Sequence, residues 1–239
     1  MIVLLCNVSS MPDKDGSVLF SFPVNRIDHY RQELLADRDS PEFDEAHRGV
    51  GLSRVMTWVQ RQPDYAIIRW DGENIPDALE RTARSKDPLM SKWRGLVRVF
   101  AGPAQAEGVW QLESHHHVFS WTTGEEAPDV DVRIFHGSPV VNQFLALLAD
   151  IKGDPALLSI YDRIRRRQGV TRVEVWHQNI EGEDVILRVM EGHDLDAAFE
   201  DMAAGKAELD RRIRDLEIAT LGKSHISRSQ AELLVDWRA

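Results

Sequence analysis

The chain has 239 residues, 43% of them hydrophobic and 28% charged, with a formal charge of −10 at pH 7. That balance is ordinary for a globular protein and excludes a disordered or fibrous chain. The acidic surplus opposes nucleic-acid binding, which needs a basic surface to displace counterions from phosphates. The basic run Arg163 to Arg167 reads as one solvated helix end. Cys6 is the only cysteine, so an intrachain disulfide and a multi-cysteine zinc site are excluded, and a reducing, cytoplasmic setting is expected.

Met1 to Val8 is apolar, carries no basic leader and is too short to span a bilayer, so it reads as a strand and no membrane partner is expected. Ser17 to Val24, rich in β-branched and aromatic residues, is a second strand candidate. Helical spacing follows through Ile27, Tyr30 and Leu34, and Ser40-Pro41 forms an N-cap and first-turn pair for a further helical piece. Leu52 to Gln60 and Tyr65 to Trp70 are strands joined by a turn with Pro63, and Asp71-Gly72 ends the second. Ile75 to Trp93 is expected as one helix and Leu96 to Phe100 as a strand, which gives the order βαββαβ.

After Ala104 to Asp129, in which Val109 to Leu112 and His117 to Trp121 form either a strand pair or an irregular cap, the pattern starts again. GLSRVMTWVQ, Gly51 to Gln60, returns as GVTRVEVWHQ, Gly169 to Gln178, so that Arg54, Trp58 and Gln60 recur as Arg172, Trp176 and Gln178 at one constant offset. Around this anchor lie a strand from Val130 to His136, a helix bearing Leu147 to Asp150, and Asp154-Pro155 echoing Ser40-Pro41. Beyond it come a strand from Val185 to Met190, Glu191-Gly192 echoing Asp71-Gly72, a helix from Leu195 to Arg212 and a strand from Leu216 to Leu221. Ala231 to Trp237 reads as a short docking helix. The expected class is α+β, with two tandem ferredoxin-like βαββαβ repeats over residues 1–103 and 130–222, a connecting insert 104–129 and a tail 223–239.

Tandem units of this kind resemble the dimeric α/β-barrel superfamily, here with both sheets supplied by one chain. Gly51 to Trp93, with its SKDPLMSKW ending, is also similar to a bacterial family of small ferredoxin-like domains. The resemblance implies a cavity between two facing sheets. Members of the superfamily include cofactor-free monooxygenases, polyketide cyclases, sugar mutarotases and haem proteins such as chlorite dismutases, so it does not choose among chemistries.

Strand alternation places Val55, Thr57 and Val59, with Val173, Val175 and His177, under the helices, and turns Arg54, Trp58, Gln60, Arg172, Glu174, Trp176 and Gln178 towards the space between the sheets. Arg69 and Arg188 are expected at matching positions of the neighbouring strands. Such a lining suits a flat or acidic small-molecule ligand; it equally suits pseudo-symmetric packing with the arginines paired in the seam. His115 and His117 would share a face with Glu113, but no motif supports a metal site and none is expected; a ligand-lining or general acid/base role and an exposed or capping insert are the other readings. His177, where the first copy has Val59, is either a buried, hydrogen-bonded residue or a general base or axial haem ligand. The function expected is small-ligand binding between the sheets, with cofactor-free cyclase, isomerase or monooxygenase chemistry. A non-catalytic binding or stress-associated protein is the alternative class and a haem-dependent enzyme the third; the chain is expected to act as a monomer or homodimer.

Overall fold

A computed structural model describes residues 16–61, 64–103, 109–110, 115–136, 141–180, 182–221, 229 and 231–239. The expected strand Met1 to Val8, with Cys6, lies outside the described residues, as does Glu113. The first copy contributes β1 (Gly16–Pro23), α1 (Ile27–Asp37), α2 (Pro41–Gly49), β2 (Leu52–Gln60), β3 (Tyr65–Gly72), α3 (Ile75–Arg84) and α4 (Pro88–Ala101). A strand β4 (His115–Thr122) follows. The second copy contributes β5 (Asp129–His136), α5 (Val141–Gly153), α6 (Pro155–Arg167), β6 (Val170–Ile180), β7 (Glu183–Gly192), α7 (Leu195–Ala204) and α8 (Glu208–Leu221), and β8 (Glu232–Arg238) ends the chain. Among the described residues no helix is long and apolar enough to cross a membrane.

Local chemistry sets the helix starts. Ser40 caps α2 by accepting the Phe43 N–H at 3.2 Å, with Pro41 in the first turn, and Asp154 does the same for α6 through the Ala156 N–H at 2.8 Å. The stretch Ile75 to Trp93 is two helices, because Ser85 turns extended (ψ 137°) and Asp87 restarts the chain by accepting the Leu89 and Met90 N–H groups, both at 2.9 Å. Leu96 to Phe100 is therefore helix and not strand. Val97 and Phe100 belong to the inward stripe with Leu89, Met90 and Trp93, whose spacing is helical, while Val99 is 72% exposed. Leu216 to Leu221 likewise ends α8, which restarts after Gly205 closes α7 in the left-handed region at φ 58°.

Two four-stranded antiparallel sheets result, ordered β1-β3-β2-β8 and β4-β6-β7-β5. The two ferredoxin-like units are thus present, but each takes its fourth strand from beyond the other. The strand after α4 joins the second sheet beside β6, with His115 opposite Gln178, and the strand after α8 joins the first beside β2, with Val55 opposite Trp237. Ala231 to Trp237 is accordingly strand rather than docking helix. Leu234 and Val235 are 3% and 4% exposed, Asp236 takes both ends of the Arg54 guanidinium at 2.8 and 3.1 Å, and the Trp237 indole donates to Asp44 at 3.0 Å.

The apolar interior falls into two bodies. Val173, Val175, Ile186, Met190, Phe119 and Phe135 pack under α5 to α8. Val132, Ile134, Trp176, Val185, Leu187 and Val189, on the opposite face of the same sheet, merge with the core of the first sheet, so the inter-sheet layer and the first helix layer are one continuous core.

Candidate functional site

Alternation sorts β6 as its sequence implies: Val173 and Val175 face the helices, while Trp176 faces the first sheet. Trp58 and Trp176 are each 2% exposed, and the Trp176 ring lies 4.8 Å from that of His117 on β4. The recurring glutamines join the sheets. The Gln178 side chain behaves as a piece of strand, accepting from the Ser21 N–H at 3.0 Å and donating to the Ser21 carbonyl at 3.0 Å, while Gln60 accepts from the Ile134 N–H at 3.3 Å. Ser21 and Ile134 hold the same place in their sheets, opposite Ile67 and Leu187. Each clamp supplies a hydrogen-bond partner to an edge strand that would otherwise leave a polar backbone group unmet.

Arg54 is bound to the exchanged strand through Asp236. Arg188 requires a correction. The registers place Met56 opposite Arg69 and Glu174 opposite Val189, and both hairpins end on a glycine, Gly72 or Gly192, so the counterpart of Arg69 is Val189. Arg188 is one residue out, and in a strand a slip of one changes the face. Its guanidinium lies over Phe135 and Phe199 in the helix layer and 3.8 Å from Asp131, whose carboxyl is raised by burial against the pull of Arg188 and Arg133. His177 sits near the turn of the β6–β7 hairpin with Nε2 2.9 Å from Asp184 Oδ1. His115 and His117 do share a face, opposite Gln178 and Trp176. His115 is buried with Nε2 2.9 Å from the Val109 carbonyl, and burial depresses its pKa to about 4. Among the described residues no three His, Cys, Asp or Glu side chains are grouped to hold a metal ion.

Charge gathers at one end of the inter-sheet space. Arg69, 1% exposed, donates from Nε to Asp71 Oδ1 and from Nη1 to Glu191 Oε1, both at 2.9 Å, and its Nη2 lies 3.9 Å from Glu174 Oε2. Arg172 in turn holds Glu174 Oε1, with Nε at 2.9 Å, and Ser17 reaches that oxygen at 3.4 Å. Burial pushes the Glu174 carboxyl up, but the fields of Arg69 and Arg172 outweigh it and hold the group below the usual carboxylate range. Burial likewise opposes the charge on Arg69, and the carboxylates of Glu174, Asp71 and Glu191 outweigh that penalty. Glu174 and Arg69 are therefore both held in their charged forms. Two of its atoms, Arg69 Nη2 and Glu174 Oε2, are buried without a hydrogen-bond partner among the described residues.

Above this cluster opens a cleft of about 770 Å³ lined by Gly16, Ser17, Ser53, Arg69, Asp71, Gly72, Glu73, Asn74 and Arg172. Of the inward residues expected from the sequence, Arg69 and Arg172 reach its wall, with Glu174 bonded to Arg172. Trp58 and Trp176 lie in the packed layer, Gln60 and Gln178 in the clamps, and Arg54 in the exchanged-strand seam. Ser17, Ser53 and Asn74 carried no signal in the sequence, but Asp71 and Glu191 did, as the matched acid-glycine pairs that end β3 and β7.

The two four-stranded antiparallel sheets fit tandem ferredoxin-like units, and both come from this one chain. No family model and no curated protein matches the sequence. Solved structures similar to it include an anthrone oxidase-like protein, at 12% identity over 92% of this chain and 90% of that one, with a TM-score of 0.48. A protein from Fusobacterium nucleatum subsp. nucleatum, provisionally assigned as a monooxygenase, matches at 11% identity over 93% and 94%, with a TM-score of 0.46. The heme-degrading enzyme from Listeria monocytogenes matches at 9% identity over 91% and 97%, with a TM-score of 0.36. Likeness at this level concerns the course of the chain and says nothing about chemistry.

Proposed function

We propose that the chain binds a small organic ligand at the mouth of the inter-sheet space, in the cleft walled by Ser17, Ser53, Asp71, Glu73, Asn74 and Arg172. The observation that carries this reading is an unmet donor, Nη2 of the cleft-lining Arg69, with an unmet acceptor, Glu174 Oε2, 3.9 Å from it, beneath a cleft of ligand-binding size. Buried polar atoms without partners are costly to keep, at about 1–3 kcal/mol each, and a bound ligand would offset that cost.

Binding is favoured over acid–base catalysis because the cluster's best-defined carboxyl, Glu174, is held ionised well away from neutrality, whereas a general base works best with a pKa near the working pH. An acidic ligand is disfavoured, since Arg69 and Arg172 are both already engaged by carboxylates. A haem-dependent reaction through His177 has no support in the geometry, because its Nε2 faces Asp184.

The test is a thermal-shift screen of small molecules against the wild-type chain and Ser53→Trp. Ser53 is exposed on the cleft wall, so an indole there would fill the cleft without entering the core. Compounds that raise the melting temperature of the wild type should leave the variant's unchanged. Equal stabilisation of both by every active compound would refute the site.

A further inference from the structure

The two ends of the inter-sheet space are built from matching positions, yet they are not alike. Register and the closing glycines map Met56 on Glu174 and Arg69 on Val189. They also map Ser17 on Val130, the bulge residue Ser53 on Thr171, and the helix cap Asn74 on Asp194. At the cleft the facing pair is Arg69 and Glu174; at its mate the corresponding residues are Val189 and Met56, 0% exposed each and both apolar. Ser53 is exposed on the cleft wall whereas Thr171 is 1% exposed, and Val130 packs against the core where Ser17 lines the cleft. Arg54, the mate of Arg172, is fastened to Asp236.

From this asymmetry we infer that the chain carries one ligand site for its two pseudo-equivalent ends, and that the ligand presents a hydroxyl group to Arg69 and Glu174. The inference rests on the cleft reading above and adds its stoichiometry and chemical class. A hydroxyl both donates and accepts. Placed between Arg69 Nη2 and Glu174 Oε2, which are 3.9 Å apart, one oxygen can accept from the first and donate to the second at normal hydrogen-bond lengths. A carboxylate cannot donate to Glu174 and would face four carboxylates in Asp71, Glu73, Glu174 and Glu191; an ammonium cannot accept from Arg69. The class selected is a neutral, hydroxyl-bearing molecule. Arg172, bonded to Glu174 Oε1 and part of the cleft wall, keeps that carboxylate's other oxygen engaged.

The experiment is an amide-shift NMR titration of the full chain with four probes: cyclohexane-1,2-diol, 1,2-dimethoxycyclohexane, benzoate and benzylamine. The diol should shift the Ser17, Ser53 and Asn74 amides along one saturable curve and leave those of Val130, Thr171 and Asp194 in place. The dimethyl ether, which has lost its donors, should bind at least tenfold more weakly. In Glu174→Gln the retained oxygen stays on Arg172 and the new amide nitrogen turns a donor towards Arg69, so the diol response should also fall at least tenfold. Shifts at both ends, or an ether as effective as the diol, would overturn the inference. Cleft amides that respond to benzoate or benzylamine but not to the diol would overturn the ligand class and leave the cleft standing. Silence of the cleft amides to all four probes would remove the cleft reading itself.

Discussion

Truncation of Trp176 to alanine separates a packed inter-sheet layer from an open one. The indole is 2% exposed and lies opposite Leu187 on one side and His117 on the other. Deleting a packed core aromatic costs about 3–5 kcal/mol. Here the loss should be smaller, because the Trp176 indole nitrogen is buried without an acceptor among the described residues and the native state already bears about 1–3 kcal/mol for it. The midpoints of the two ranges put Trp176→Ala about 2 kcal/mol below wild type. Trp176→Phe keeps most of the ring and removes the unmet donor, so it should fall within about 1 kcal/mol of wild type. Trp58 is equally buried, and its nitrogen is not among the unmet atoms, so Trp58→Ala should show the full cost of about 3–5 kcal/mol. Urea titrations followed by circular dichroism measure all three, provided the slope with denaturant is unchanged. A Trp176→Ala loss below about 1 kcal/mol would mean that the indole borders empty space, and a phenylalanine variant as costly as the alanine one would mean that its nitrogen is bonded after all.

Removal of residues 232–239 unpairs β2 and withdraws Leu234, Val235 and the Arg54–Asp236 pair; at about 1.5–3 kcal/mol for each buried aliphatic side chain the loss approaches the whole stability of an ordinary domain. Scanning fluorimetry should show a strongly lowered transition that a synthetic 231–239 peptide restores, and a truncated chain that melts like wild type would contradict the exchange. The second prediction concerns acid: burial depresses His47 and His115 to about 4, so the folded chain binds fewer protons than the unfolded chain below the unfolded value near 6.5. Stability should therefore fall as pH drops from about 6.5 through 4, by up to about 3 kcal/mol per histidine, and His47→Phe should flatten the part of the urea-midpoint profile that His47 causes.

The six strands of the two copies and the starts of α2 and α6 were legible because their signals are local: caps at Ser40 and Asp154, glycine stops at Gly72 and Gly192, and alternation along β2 and β6; the breaks that Asp87 and Gly205 make between paired helices were not read. The origin of the fourth strands was not. Which sheet edge β8 joins is decided by contacts made across more than a hundred residues, such as Trp237 with Asp44 or Arg54 with Asp236, and β4 likewise pairs with the distant β6, so no local window of sequence holds both partners. Leu96 to Phe100 misled for a related reason. Five residues with four apolar members fit a strand or one helical turn equally well, and only the spacing back to Leu89 and Trp93 separates them.

Recurrence proved to be a guide to architecture more than to the site. Trp58 with Trp176 and Gln60 with Gln178 return in both copies because both sheets face the same packing and hydrogen-bonding problem: an aromatic must fill the layer, and an amide must satisfy the neighbouring edge strand. A duplicated chain solves such a problem twice with the same residue. Where the copies part, at Met56 against Glu174 and Arg69 against Val189, packing gives no reason for the difference, since the apolar pair is already an adequate solution at the mate position. Substituting a buried charge pair there costs desolvation that hydrophobic residues of similar size avoid, and the geometry does not even complete its hydrogen bonds. A charge pair kept at such a cost is what the ligand site proposed above would require. In a duplicated chain the positions that break the repeat, such as Met56 against Glu174 and Arg69 against Val189, are therefore the ones from which to read chemistry.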